Sequence, residues 1–110
     1  NKYEERTEKK TKKMCIENNF KTTLFKSLYH DDFVTCLCKK KQESGDVLIT
    51  GCLDNKIRVF SLNNYELLRT MENEGTVLTI CVLDNKHIAS SGSNQEITIW
   101  ELDSGNLVTK

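Results

Sequence analysis

The sequence predicts an all-β fold built from repeated four-stranded antiparallel units. Three observations carry that prediction. From Met14 onward, short runs rich in Val, Ile, Leu, Thr, Phe and Cys alternate with clusters of Asn, Asp, Gly and Ser, and the runs have the length of strands. The turn clusters recur closely, and no segment holds a 3.6-residue apolar period long enough to compete as a helix. Finally, "LITGCLDNKIRVFSL" (48–62) overlays "IASSGSNQEITIWEL" (88–102) without a gap.

Taken in order, residues 1–13 are a charged run with no apolar face to dock, which predicts a solvated tail or linker. Strands are expected at 22–28, 33–38, 46–51, 55–60, 65–70, 76–82, 86–91, 96–101 and 106–109. The turns between them are "ESGD" (43–46), "LDN" (53–55), "LNN" (62–64), "LDNK" (83–86), "SNQ" (93–95) and "LDSGN" (102–106). The chain has no proline, so Gly, Asn, Asp and Ser must make these turns.

The repeat is best seen from Phe60 and Trp100. Counting back from each, Leu48 overlays Ile88, Thr50 overlays Ser90, and Asp54 overlays Asn94. The β-branched pair Ile57 and Val59 overlays Ile97 and Ile99. Upstream, "FVTCLC" (33–38) matches "TVLTIC" (76–81); downstream, "SLNNYELLRT" (61–70) matches "ELDSGNLVTK" (101–110). A four-stranded unit of about forty residues is the signature of a β-propeller blade. On these residues the chain resembles the WD40 family over 30–110, with an echo in 14–29, where "CIENNFKTTLFKSLYH" follows the pattern of "FSLNNYELLRTMEN". It departs from the family at the ends of the pattern. Tyr29-His30 and Glu72-Asn73 stand for the opening Gly-His, and Phe60-Ser61 and Trp100-Glu101 for the closing Trp-Asp.

The resemblance implies an organisation: 1–13 tail or linker, 14–29 end of a preceding blade, 30–72 one WD40-like blade and 73–110 the next. It also implies a structural network in which the His bonds the turn Asp and the strand hydroxyl, and the hydroxyl bonds the Trp N–H. In this chain those positions are His30, Thr50, Asp54 and Phe60 in the first copy, and Ser90, Asn94 and Trp100 in the second, with Asn73 in place of the His. Both networks are truncated, so more of the stability must come from apolar packing. Because propellers close with about 4–8 blades, two and a half blades predict an incomplete β-propeller. The expectation is a piece of a larger protein, ahead of self-assembly or completion by a partner.

The chemistry-bearing residues have plainer explanations. Cysteines 15, 36, 38, 52 and 81 include no C-x-x-C pair and no His pair at zinc spacing, and Cys81 overlays Cys38. They are expected to be reduced core or strand residues, with no metal and no cofactor. A His30–Asp54 dyad with Thr50 as nucleophile is set behind the structural network, and His87 is expected to face solvent. Lysine runs at 9–13 and 39–41 are the only candidates for nucleic-acid binding. Equal numbers of basic and acidic residues, 16 of each, argue against a dedicated nucleic-acid or membrane-surface binder. No apolar run approaches the roughly 20 residues that span a bilayer, and the N-terminal residues do not form a secretory signal.

The expected function is therefore a non-catalytic protein–protein interaction scaffold in a larger complex, intracellular and cytoplasmic. An enzyme or redox site, or weak nucleic-acid binding, is the alternative. The resemblance places the partner rim in loops 30–33, 52–55, 72–76 and 92–95, with Asp32, Leu53, Asn55, Glu74, Ser93 and Gln95 as contact candidates. "HDDFVTCLC…GDVLITGCLDNKIRVF" also resembles the first blades of WD40 effectors of Rab-type GTPases; WD40 subunits of ubiquitin ligases and of ciliary or cytoskeletal assemblies fit equally.

Overall fold

The computed structural model describes residues 26–109. These form eight strands: β1 Val34–Lys40, β2 Val47–Cys52, β3 Lys56–Ser61, β4 Leu67–Glu72, β5 Val77–Val82, β6 His87–Gly92, β7 Ile97–Glu101 and β8 Leu107–Thr109. There is no helix among the described residues. The strands make two four-stranded antiparallel sheets, ordered β1-β2-β3-β4 and β5-β6-β7-β8. The two sheets do not close a ring. The expected tail, and most of the strand expected at 22–28, lie outside the described residues; residues 26–28 are not in a strand.

The fourth strand was expected from residue 65 and begins at Leu67. Tyr65 takes a left-handed conformation (φ 62) and belongs to the turn; a residue at positive φ cannot continue the pleat. Its counterpart in the second sheet is Gly105 (φ 76). The hairpins β2–β3 and β6–β7 repeat each other too, with Asn55 (φ 70) and Gln95 (φ 64) at matching positions. The ladders share their irregularities. Register shifts fall between Val34 and Cys36 and between Val77 and Thr79, then between Val59 and Phe60 and between Ile99 and Trp100. Such bulges increase local twist, so the two sheets are shaped alike.

The pleat sorts the side chains of the first sheet. Cys38, Ile49, Val59 and Arg69 pair in sequence across β1 to β4 and share one face. On that face Ile49, Ile57 and Val59 are wholly buried and Met71 nearly so. They pack against Val77, Ile88, Trp100 and Leu102 of the second sheet. Each such side chain contributes roughly 1.5–3 kcal/mol when taken out of water. Two local features hold the sheets close. Thr35 donates its hydroxyl to the Val77 carbonyl at 2.6 Å. Gly51 leaves the space Val77 needs: a Cβ there would lie 2.6 Å from Val77 Cγ1 and 2.7 Å from Cys36 Sγ.

The opposite face of the second sheet has no such cover. Ile57 is 0% exposed, whereas Ile97, its counterpart one repeat later, is 65% exposed. Cys81 is exposed on the same face, paired across to Ala89 and Ile99.

Candidate interaction site

The residues expected to form the polar network lie on the face of the first sheet that looks away from the second. Thr50 is opposite Arg58 and Leu48 opposite Phe60 in the β2–β3 ladder. His30 reaches this face from the segment before β1. Its Nε2 is 2.7 Å from Thr50 Oγ1, and its Nδ1 is 3.1 Å from the Leu28 carbonyl. A carbonyl only accepts, so Nδ1 carries a proton. The His30 ring also packs on Phe60, centroids 5.5 Å apart and tilted 54°.

The bond expected between His30 and Asp54 is not made. Asp54 is taken by Arg58, whose Nη2 donates to Oδ2 at 2.6 Å and Nη1 to Oδ1 at 3.3 Å. The Lys56 N–H adds a third donor at 3.1 Å. A guanidinium presents two parallel N–H groups and matches a carboxylate better than a ring nitrogen does. Burial opposes the charged form, but Arg58, the Cys52 thiol and the Lys56 N–H together hold the Asp54 carboxyl at about 2. Arg58 was the residue the sequence reading missed. The signal was present, because residues 50, 58 and 60 share one face under β alternation, and a cation buried there needs a carboxylate.

In the second sheet Trp100 Nε1 donates to Ser90 Oγ at 3.0 Å, and both residues are buried. Thr98 stands where Arg58 stands in the first. Asn73 turns back on its own loop, donating to the Gly75 carbonyl at 2.8 Å. The side-chain amide of Asn94 is buried at both ends with no partner. A cavity of about 80 Å³ lies between Asn73, Thr98 and Trp100. The second network therefore keeps its Trp end and lacks its His end.

As catalytic machinery the set is poorly arranged. Thr50 is 2% exposed, and the second nitrogen of His30 points to a carbonyl instead of the carboxylate that would orient a base. Burial, followed by the neighbouring Cys36 and Cys81, pushes the Cys38 thiol up, which makes it a poorer thiolate nucleophile. His87 is half-buried and bonds Asp84 Oδ1 through Nδ1 at 2.9 Å. The Lys86 N–H, then the His87 ring, holds the Asp84 carboxyl below its ordinary range. No group of three or more His, Cys, Asp or Glu residues suited to a metal occurs among the described residues.

The loops expected to form the partner rim lie at one end of the sheets and interlock. Leu53 N–H donates to the Phe33 carbonyl at 2.9 Å, Asn73 N–H to the Asn55 carbonyl at 2.8 Å, and Ser93 N–H to the Thr76 carbonyl at 3.1 Å. Asp32, Glu74, Ser93 and Gln95 are exposed there. Leu53 and Asn55, expected to be exposed, are half-buried, because these backbone bonds hold their loop down against its neighbours. Asp32 and Ser93 also serve their own loops, accepting from Phe33 N–H at 2.8 Å and Thr76 N–H at 3.0 Å.

Two stacked, twisted, four-stranded antiparallel sheets with strands in sequential order are blades of a β-propeller. Residues 22–61 match the family described as "WD domain, G-beta repeat". The chain is accordingly a WD40-repeat chain. Among curated proteins it is similar to the U3 small nucleolar RNA-associated protein 15 homolog of Gallus gallus, 28% identical over 76 residues. It is also similar to the Homo sapiens protein of that name, 32% identical over 53 residues. The alignments cover 69% and 48% of this chain, but only 14% and 10% of those proteins. The chain thus spans a small part of the length of the relatives it matches. Among solved structures, U3-55K aligns with TM-score 0.67 at 22% identity over 74% of this chain and 27% of that one. The computationally designed Ika4 protein aligns with TM-score 0.63 at 21% identity over 72% and 47%. At such identities these two speak for the fold alone.

Proposed function

We propose that the chain is a non-catalytic scaffold: two consecutive blades of a larger WD40 propeller, within a ribonucleoprotein assembly of the kind its relatives are named for. Residues 30–72 and 73–110 are the blades, and 14–29 close a preceding one. The observation that supports this reading best is the uncovered face of the second sheet. It carries Ile97 and Ile99 where the first sheet carries Ile57 and Val59, and in the first sheet those positions are covered by a neighbouring blade. A further blade is the matching cover for the second. The network around His30, Thr50, Asp54, Phe60, Ser90, Asn94 and Trp100 has a structural role, and the rim bearing Asp32, Glu74, Ser93 and Gln95 receives protein partners.

The cytoplasmic placement expected from the sequence has no support in the relatives. Their name, with similarity over 69% of the chain for the Gallus gallus protein, favours association with small nucleolar RNA. No described helix is long and apolar enough to cross a membrane. The test is recovery of the tagged full-length protein from the cells that express it, with sequencing of the bound RNA and imaging of the tag. Enrichment of small nucleolar RNA and a nucleolar signal are expected. A diffuse cytoplasmic signal with no RNA recovered would overturn the assignment. Charge reversal at Asp32 and Glu74 is expected to remove co-purifying proteins without changing the circular dichroism spectrum.

A further inference from the structure

The end of the sheets opposite the partner rim carries a polar cavity that no role above uses. β1 ends at Lys40 and β5 at Val82, so the loops that follow them, 41–46 and 83–86, lie at the same end of the two packed sheets. The cavity between them is about 500 Å³ and is lined by Lys40, Lys41, Gln42, Glu43, Ser44 and Asn85.

Lys40 is the unusual member. It is 7% exposed and sits in β1 directly across from Val47. Its ammonium makes one long hydrogen bond, 3.5 Å to the Lys41 carbonyl, although an ammonium has three donors. The neighbouring carboxylates are engaged elsewhere. Asp46 pairs with Lys39 at 3.6 Å and accepts the Gln42 N–H at 3.2 Å. Asp84 holds the His87 ring at 2.9 Å and the Lys86 N–H at 2.7 Å. Among the described residues no carboxylate pairs with Lys40. A buried cation without a counter-charge is costly, and the cost falls when an anion arrives. The remaining walls suit an oxyanion: Lys41 adds a second charge, Ser44 a hydroxyl and Asn85 an amide, and all three are exposed and free to turn inward. Gln42 already donates its amide to the Gly45 carbonyl at 3.3 Å, which fixes the loop. Glu43 is the single acidic wall residue and is exposed.

We propose that this cavity binds a backbone phosphate of single-stranded RNA, with Lys40 and Lys41 supplying charge and Ser44 and Asn85 hydrogen bonds. The choice of RNA over another phosphate source rests on the ribonucleoprotein reading above. The site then lies at the opposite rim from the protein-binding loops, so one pair of blades engages RNA and protein at once. It also returns the 39–41 lysine run, set aside in the sequence as a solvated connection, to a binding role: Lys40 is buried, not solvated.

The test is fluorescence anisotropy of the full-length protein with a labelled single-stranded RNA of mixed sequence, over a series of salt concentrations. Lys40→Met keeps the buried stem and removes the charge; Lys41→Ala combined with Ser44→Ala changes only exposed side chains and serves if Lys40→Met does not fold. For the Lys40→Met, Lys41→Ala double variant, the slope of log affinity against log salt is expected to fall by about 1.4, roughly 0.7 per phosphate contact. Affinity is expected to drop alike for all RNA sequences. Unchanged slopes in every folded variant would overturn the proposal, as would binding of a phosphoserine peptide at this cavity with none of RNA. Recovery of small nucleolar RNA with the tagged protein is a separate readout, so failure here is distinguishable from failure of the scaffold reading.

Discussion

Asp54 and Asn94 occupy the same turn position in successive repeats and meet opposite electrostatic surroundings. Asp54 has Arg58 at 2.6 Å; Asn94 has an amide with no partner. Asp54→Ala is expected to cost about 3 kcal/mol, because it strands a buried guanidinium. Asn94→Ala is expected to change stability by less than about 1 kcal/mol, because an unpartnered buried amide contributes nothing to lose. Urea denaturation of both variants checks the contrast. The Asp54 carboxyl at about 2 lies below its unfolded value, so its contribution is complete above pH 4 and is lost as pH falls through about 2. The contribution is on the order of 2 kcal/mol. An acid titration of folding should therefore flatten between pH 4 and 2 in Asp54→Asn relative to the parent. At the next position Gln95 holds φ 64, a conformation Asn tolerates better than Gln. Gln95→Asn, copying Asn55, is expected to stabilise by about 0.5 kcal/mol in thermal denaturation. The overlay of the two repeats marked Asp54 and Asn94 as equivalent. It did not show Arg58 displacing His30 from Asp54, since that depends on which side chains share a face and how far a guanidinium reaches.

At the scale of elements, the alternation of β-branched residues with turn clusters was enough to find the described strands, because one buried face imposes a period of two. The strand ends were less legible. Tyr65 reads as a strand residue by type, yet the turn requires positive φ at its position, where the other repeat has Gly105. Glycine also governs how closely the strands approach. Gly51→Ala would push a methyl into Val77 and Cys36, and overpacking of this kind costs about 1–3 kcal/mol. At Gly92 the added Cβ would sit 1.6 Å from the Thr76 carbonyl oxygen, which β6 cannot relieve without losing its register to β5. Gly92→Ala is expected to be the more damaging of the two, lowering the melting temperature further and exposing the second sheet to proteolysis before the first.

For the molecule as a whole, the forty-residue period was legible because each blade places equivalent side chains against the next. What covers the outer face of the second sheet was not, because a face exposed in two blades and a face covered in a longer propeller have the same sequence. The positions Ile57 and Ile97 separate the possibilities. Ile57→Ala is expected to cost about 2–5 kcal/mol in any setting. Ile97→Ala should approach that cost only where a further blade packs on it. Cys81 reports on the same face without any substitution, with Cys52, wholly buried, as an internal standard. The measurement to make is site-resolved alkylation of Cys81, by mass spectrometry, in the full-length protein purified in its native assembly and in the 110-residue chain alone. Rapid labelling in the isolated chain and protection in the assembly are expected if these two blades are part of a larger propeller. Equal, rapid labelling in both would show that no blade covers this face and would contradict that placement.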